Sequence, residues 1–88
     1  MPASPDIGRL LRRHRAAVDL TLAEVADRLG DVGLPRARQS VHAWEVGRAR
    51  PPVEALAELV IIYELNRAQI YALYQAAGIL VIMPPEAA

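Results

Sequence analysis

Apolar residues recur at helical spacing along this chain, in stretches divided by proline, glycine and capping residues. The clearest stretch is LTLAEVADRLG, where Leu22, Val25, Ala26 and Leu29 fall at i, i+3, i+4 and i+7 and so share one helix face. Thr21 stands before it and Glu24 three residues later, the pairing of a capping box. Gly30 is the expected left-handed residue that ends this helix.

A second amphipathic stretch follows across the loop DVGLPRAR. At about 100° per residue, Ala37, Ser40, Val41 and Trp44 gather on one side of a helix. Arg38, Gln39, His42, Ala43 and Val46 gather on the other. Pro35 suits the first turn, where its missing N–H costs nothing, and Gly47 ends the helix.

The same logic extends outward. Ser4-Pro5-Asp6 is a helix start, with a proline and an acid in the first turn. Ile7, Leu10, Leu11 and His14 form its inward stripe, while Arg9, Arg12, Arg13 and Arg15 project from the rest. After Pro51-Pro52, a helix from Val53 carries Leu56, Ala57, Leu59, Val60, Ile61, Ile62, Tyr63 and Leu65, more apolar residues than one stripe holds. Such a helix is covered on several sides, and in so small a domain some of that cover is expected from a second subunit. Asn66 and Gln69 form a second capping box. Ile70, Leu73, Tyr74 and Ala77 line the inner face behind it, and Gly78 closes the helix.

The predicted architecture is therefore all-α: a compact five-helix domain over 1–78, with a helix-turn-helix core at 21–47 and an apolar tail at 79–88. Ile79, Leu80, Val81, Ile82 and Met83 run without a polar residue up to Pro84-Pro85. That run suits a strand or arm packed across a dimer, or an end tucked into its own core. The dimer is preferred because the fourth helix already carries surplus apolar surface; Ile61, Ile62 and Tyr71 are expected to join 79–83 in it.

The second stretch carries the chemistry. Arg and Gln read guanine and adenine edges bidentately, which makes Arg38 and Gln39 the expected base contacts, with His42 and Ala43 beside them. A helix with an apolar back, a reading front and Arg48 and Arg50 beyond its end is what a major groove accepts. An ordinary surface helix with solvated polar residues is the plain alternative from this helix alone.

TLAEVADRLG followed by SVHAWEVGRARPP resembles the lambda-repressor-like (Cro/cI, XRE) helix-turn-helix proteins, over residues 7–65. That resemblance implies sequence-specific duplex DNA binding by a homodimer on a palindromic operator. It places the first helix beside the DNA backbone, with Arg12, Arg13 or Arg15 on phosphate or one arginine paired with Glu45. Thr21, Arg36, Ser40, Arg48 and Arg50 complete the expected phosphate set. The chain departs from the family in three places: Leu22 where a Gln is usual, a longer turn with 31–35 inserted, and Ala37 where a Ser or Thr cap is usual.

Composition refines this picture. The 88 residues carry ten arginines, no lysine and ten acids, for a net charge of zero. The distribution is uneven: residues 1–50 hold nine of the arginines against six acids, and residues 51–88 hold one against four. A basic half and an acidic remainder suggest a nucleic-acid face. Cysteine is absent, which removes disulfides and thiolate metal sites and fits a reducing compartment. No apolar run approaches a membrane span and the N-terminus carries no secretion signal, so a cytoplasmic, nucleoid-associated protein is expected. The two histidines lack metal-ligating partners, and no nucleophile–base pair or phosphate-cradling loop is present. No enzyme activity, cofactor or metal is expected. The competing function is a protein-interaction adaptor, or an antitoxin-type protein, that uses the same fold to bind a partner chain.

Overall fold

The computed structural model describes residues 5–79, which form five helices and no strand. They are α1 (Pro5–Ala17), α2 (Leu22–Asp31), α3 (Arg38–Glu45), α4 (Val53–Ile62) and α5 (Arg67–Ala76). The expected contacts of Leu80, Val81, Ile82 and Met83 lie outside the described residues.

Both capping boxes form. Thr21 Oγ1 accepts from Glu24 N at 3.1 Å while Thr21 N donates to Glu24 Oε1 at 2.9 Å. Asn66 and Gln69 repeat the arrangement at the start of α5, with both bonds at 2.9 Å. Each box satisfies N–H groups that the first helical turn leaves without intrahelical partners. Pro52, extended at φ −60° and ψ 154°, is the residue from which α4 departs.

Two boundaries in the turn between α2 and α3 differ from expectation. Gly30 lies inside α2, which runs on to Asp31, and the left-handed residue is Gly33 at φ +82°. The helix can continue because Gly33 turns the chain: Gly33 N donates to Gly30 O at 3.0 Å and Leu34 N to Leu29 O at 2.9 Å. Pro35 lies outside α3, which begins at Arg38 behind an extended Ala37 that offers no side-chain cap. The inserted residues are thus divided between a longer α2 and an irregular connection that reaches the start of α3.

α3 sits against both α1 and α2, α5 packs on α1, and α4 packs on α2. Val25 and Leu29 of α2, Val41 and Trp44 of α3, Leu56 and Leu59 of α4, and Leu73 of α5 meet in one buried cluster. Ile7 and Leu11 bring α1 into it, with His14 buried one turn further along. α4 is buried at Ala55, Leu56 and Leu59, yet Val53 and Ile61 are 59% and 68% exposed. The described residues therefore leave part of its apolar surface open.

Gly8 marks a close approach between α1 and the end of α3. A Cβ there would overlap the carbonyl oxygen of Glu45 and meet that of Trp44 at 3.0 Å. Only a residue without a side chain lets α1 come this near the end of α3.

Candidate nucleic-acid interface

α3 is positioned from behind. Val41 and Trp44 are 1% and 4% exposed, so their register in the core fixes which residues face outward. Arg38, Gln39 and His42 are exposed and Ala43 is half-buried. The structure thus divides α3 as its residue types suggest, apart from Ala37, which is exposed at the cap.

The end of α3 is tied down by an ion pair. Arg15 Nε donates to Glu45 Oε2 at 2.7 Å and Arg15 Nη2 to Glu45 Oε1 at 2.9 Å, a two-pronged contact. Arg15 Nη1 also donates to Leu20 O at 2.9 Å, bringing in the connection between α1 and α2. The Glu45 side chain is 4% exposed and that of Arg15 19%. Bonding to Glu45 raises the Arg15 pKa further, so this cation is permanent. Burial, helped by the Glu45 carboxylate, pushes the neighbouring Tyr63 hydroxyl well above its usual range. Tyr63 therefore stays a neutral phenol beside the pair.

In front of this frame lies a concave groove of about 820 Å³, walled by the end of α1, the start of α2 and the outer face of α3. Thr21, Leu22, Arg38, Gln39 and His42 all line it, with Asp19 and Leu20 on the connection. Three expected base contacts, Arg38, Gln39 and His42, thus share one concavity with Thr21, an expected phosphate contact. Its wall also holds Leu22, which replaces a polar residue usual in the resembled family.

The remaining candidates are dispersed. Arg12 and Arg13 stand exposed on α1, and Arg48 stands exposed beyond Gly47. Arg36 folds back so that its Nη1 donates to Pro35 O at 2.8 Å, beside a shallow cleft shared with Asp27 and Asp31. Arg50 lines a separate groove with Pro51 and Val53. Ser40 is half-buried. Among the expected dimer residues, Ile61 is 68% and Tyr71 43% exposed, while Ile62 and Ile79 are half-buried.

The sequence reading missed two residues that shape this site. Asp19 turns the chain between α1 and α2 at φ +56°, a conformation for which a glycine would have been the signal. Gly8 did leave a signal, a lone glycine within a helical pattern, which marks close packing where it persists. Among the described residues, no group of three or more His, Asp or Glu is placed to hold a metal ion. No described helix is long and apolar enough to cross a membrane.

A model of the helix-turn-helix domain matches residues 6–73. The chain belongs to that family, in agreement with its resemblance to the lambda-repressor-like proteins, and this points to a DNA-binding regulator. No curated protein and no solved structure matches the chain.

Proposed function

We propose that the protein is a sequence-specific regulator of transcription that binds duplex DNA as a homodimer on a palindromic site and represses by occluding the promoter. The observation that carries this reading is the joint placement of Arg38, Gln39 and His42. All three are exposed on α3 and line one groove with Thr21, while Val41 and Trp44 hold the back of the helix in the core.

In this reading α3 enters the major groove. Arg38 and Gln39 make bidentate contacts to base edges, and His42 and Ala43 contact the bases that follow. Arg12, Arg13, Thr21, Arg36, Ser40, Arg48 and Arg50 engage phosphates and fix the register without reading sequence. Arg15 acts through Glu45: its guanidinium holds the end of α3 rather than a phosphate. Two copies meet through the open faces of α4 and α5, where Ile61 and Tyr71 stand exposed beside Ile62. A two-fold axis there spaces the two α3 helices by about one turn of DNA, roughly 34 Å.

The test is to sequence the genomic fragments retained by the purified protein at moderate salt. Enrichment of an inverted repeat near promoters is expected. Retention without any shared sequence would contradict specific recognition.

The adaptor reading draws on one observation, the apolar Leu22 in the wall of the groove. A protein partner seated there would require Leu22 and leave DNA unbound. Specific DNA binding by the unaltered protein, unchanged in Leu22→Gln, excludes that reading.

A further inference from the structure

The groove in front of α3 has one apolar feature that the contacts proposed above leave unused. Leu22, the first residue of α2, lines it together with Arg38, Gln39 and His42. Its side chain is half-buried and packs in part against the core cluster. The capping box of Thr21 and Glu24 fixes the backbone on which it stands. Ala16, Leu20 and Ala23 are the other apolar residues of the lining. Leu20 is buried in the core, and the two alanines present only a methyl group. Leu22 is therefore the large apolar side chain that this face offers a ligand.

What it meets on DNA follows from its chemistry. A leucine side chain neither donates nor accepts a hydrogen bond, so it makes no phosphate contact and reads no donor or acceptor on a base edge. Covering its open surface is favourable only where the DNA is itself apolar. In the major groove that group is the C5-methyl of thymine; the other features by which base pairs differ there are donors and acceptors.

We propose that Leu22 is a specificity-determining residue that reads the C5-methyl of a thymine beside the base pairs contacted by Arg38 and Gln39. The inference rests on the reading of α3 as the helix in the major groove. In that setting α2 adds a sequence contact of its own, and each half of the preferred site contains a thymine that Arg38 and Gln39 do not require. Leu22 is held before DNA arrives, by the core behind it and the cap ahead of it, so little ordering is needed on binding. Covering one methyl group is worth about fourfold in affinity for each half-site, and about fifteenfold where both halves are filled.

The test starts from the duplex that the unaltered full chain selects. Each thymine is replaced in turn by uracil, which removes the methyl and keeps every hydrogen-bonding group, and affinity is measured by fluorescence anisotropy. Replacing one particular thymine per half-site is expected to weaken binding about fourfold. In Leu22→Ala that loss should fall below about twofold, while both proteins bind the uracil duplex about equally. Equal binding there also shows that the variant is folded. Leu22→Met, which keeps an apolar side chain of similar volume, should retain most of the methyl dependence. A selected site indifferent to every thymine methyl would overturn the proposal, and this series needs no variant. A methyl dependence that Leu22→Ala leaves unchanged would also overturn it and assign the contact to another residue, such as Ala43. If no duplex is selected at all, the reading of α3 fails and this inference with it, a result distinct from a selected site that ignores its methyls.

Discussion

Arg15 and Glu45 are joined by two nearly parallel bonds, Nε to Oε2 at 2.7 Å and Nη2 to Oε1 at 2.9 Å, across thirty positions of sequence. One partner is on α1 and the other closes α3, so the pair ties the end of α3 to α1. Breaking a buried pair by removing one partner costs about 3–5 kcal/mol, because the other charge is left without compensation. Arg15 retains some solvent and the Leu20 carbonyl, so Glu45→Ala is expected to cost about 2–3 kcal/mol. Urea denaturation checks this; a loss below about 0.5 kcal/mol, the scale of an exposed pair, would show that the bridge only decorates the surface.

Gly8 and Gly30 should respond in opposite directions. A methyl at Gly8 runs into the Glu45 carbonyl, and the helices must separate to admit it. Gly8→Ala is expected to destabilise by about 2 kcal/mol or more, in the range of overpacked cores. Gly30 is helical with open space where its Cβ would be, so Gly30→Ala should stabilise by about 0.5–1 kcal/mol. Thermal melts of the two variants settle both signs.

Glu64 turns the chain between α4 and α5 at φ +55°, where a side chain costs about 1–2 kcal/mol. Glu64→Gly relieves that strain at the expense of a more flexible unfolded chain. A net gain of about 0.5 kcal/mol in folding stability is expected from denaturant midpoints.

His14 gives the fold a pH dependence. Its side chain is buried and its Nε2 has no hydrogen-bond partner among the described residues. Burial, and then the charge of Arg13, lower its pKa from the ordinary value of 6.5. The unfolded chain therefore takes up a proton before the folded one does. This contribution to stability is fully present above pH 6.5 and falls as the pH drops from there through the lowered folded value. Urea midpoints measured from pH 7.5 to 5 should decline accordingly, and His14→Leu should flatten the decline. An unaltered slope in that variant would assign the effect to other groups.

For recognition, Arg38→Ala is expected to cost about 1–3 kcal/mol on the preferred site and to relax one base position. Uniform weakening across sequences, with a shallower salt dependence, would mark Arg38 as a phosphate contact.

What the sequence disclosed follows from how local each signal is. Thr21 with Glu24 and Asn66 with Gln69 declare helix starts because both partners lie within one turn. Val41 and Trp44 declare the buried side of α3 because helical periodicity alone assigns it. Gly30 misled because any glycine after an amphipathic run looks like a terminus, and the choice between Gly30 and Gly33 depends on where α3 must arrive. Pro35 misled for the same reason. Arg15 was one of several arginines on an outward face, and only the crossing of α1 over α3 selects it for Glu45. The groove in front of α3 joins residues from three helices, so no stretch of sequence contains it.

If the α3 face reads DNA sequence, selection of bound duplexes from a random pool will reveal the site it reads. The selection is run at two salt concentrations, with the Arg38→Ala/Gln39→Ala double variant as control. An enriched palindrome, lost in the double variant and bound more weakly at the higher salt, is the predicted result. Binding without enrichment, or no binding even at the lower salt, would contradict it.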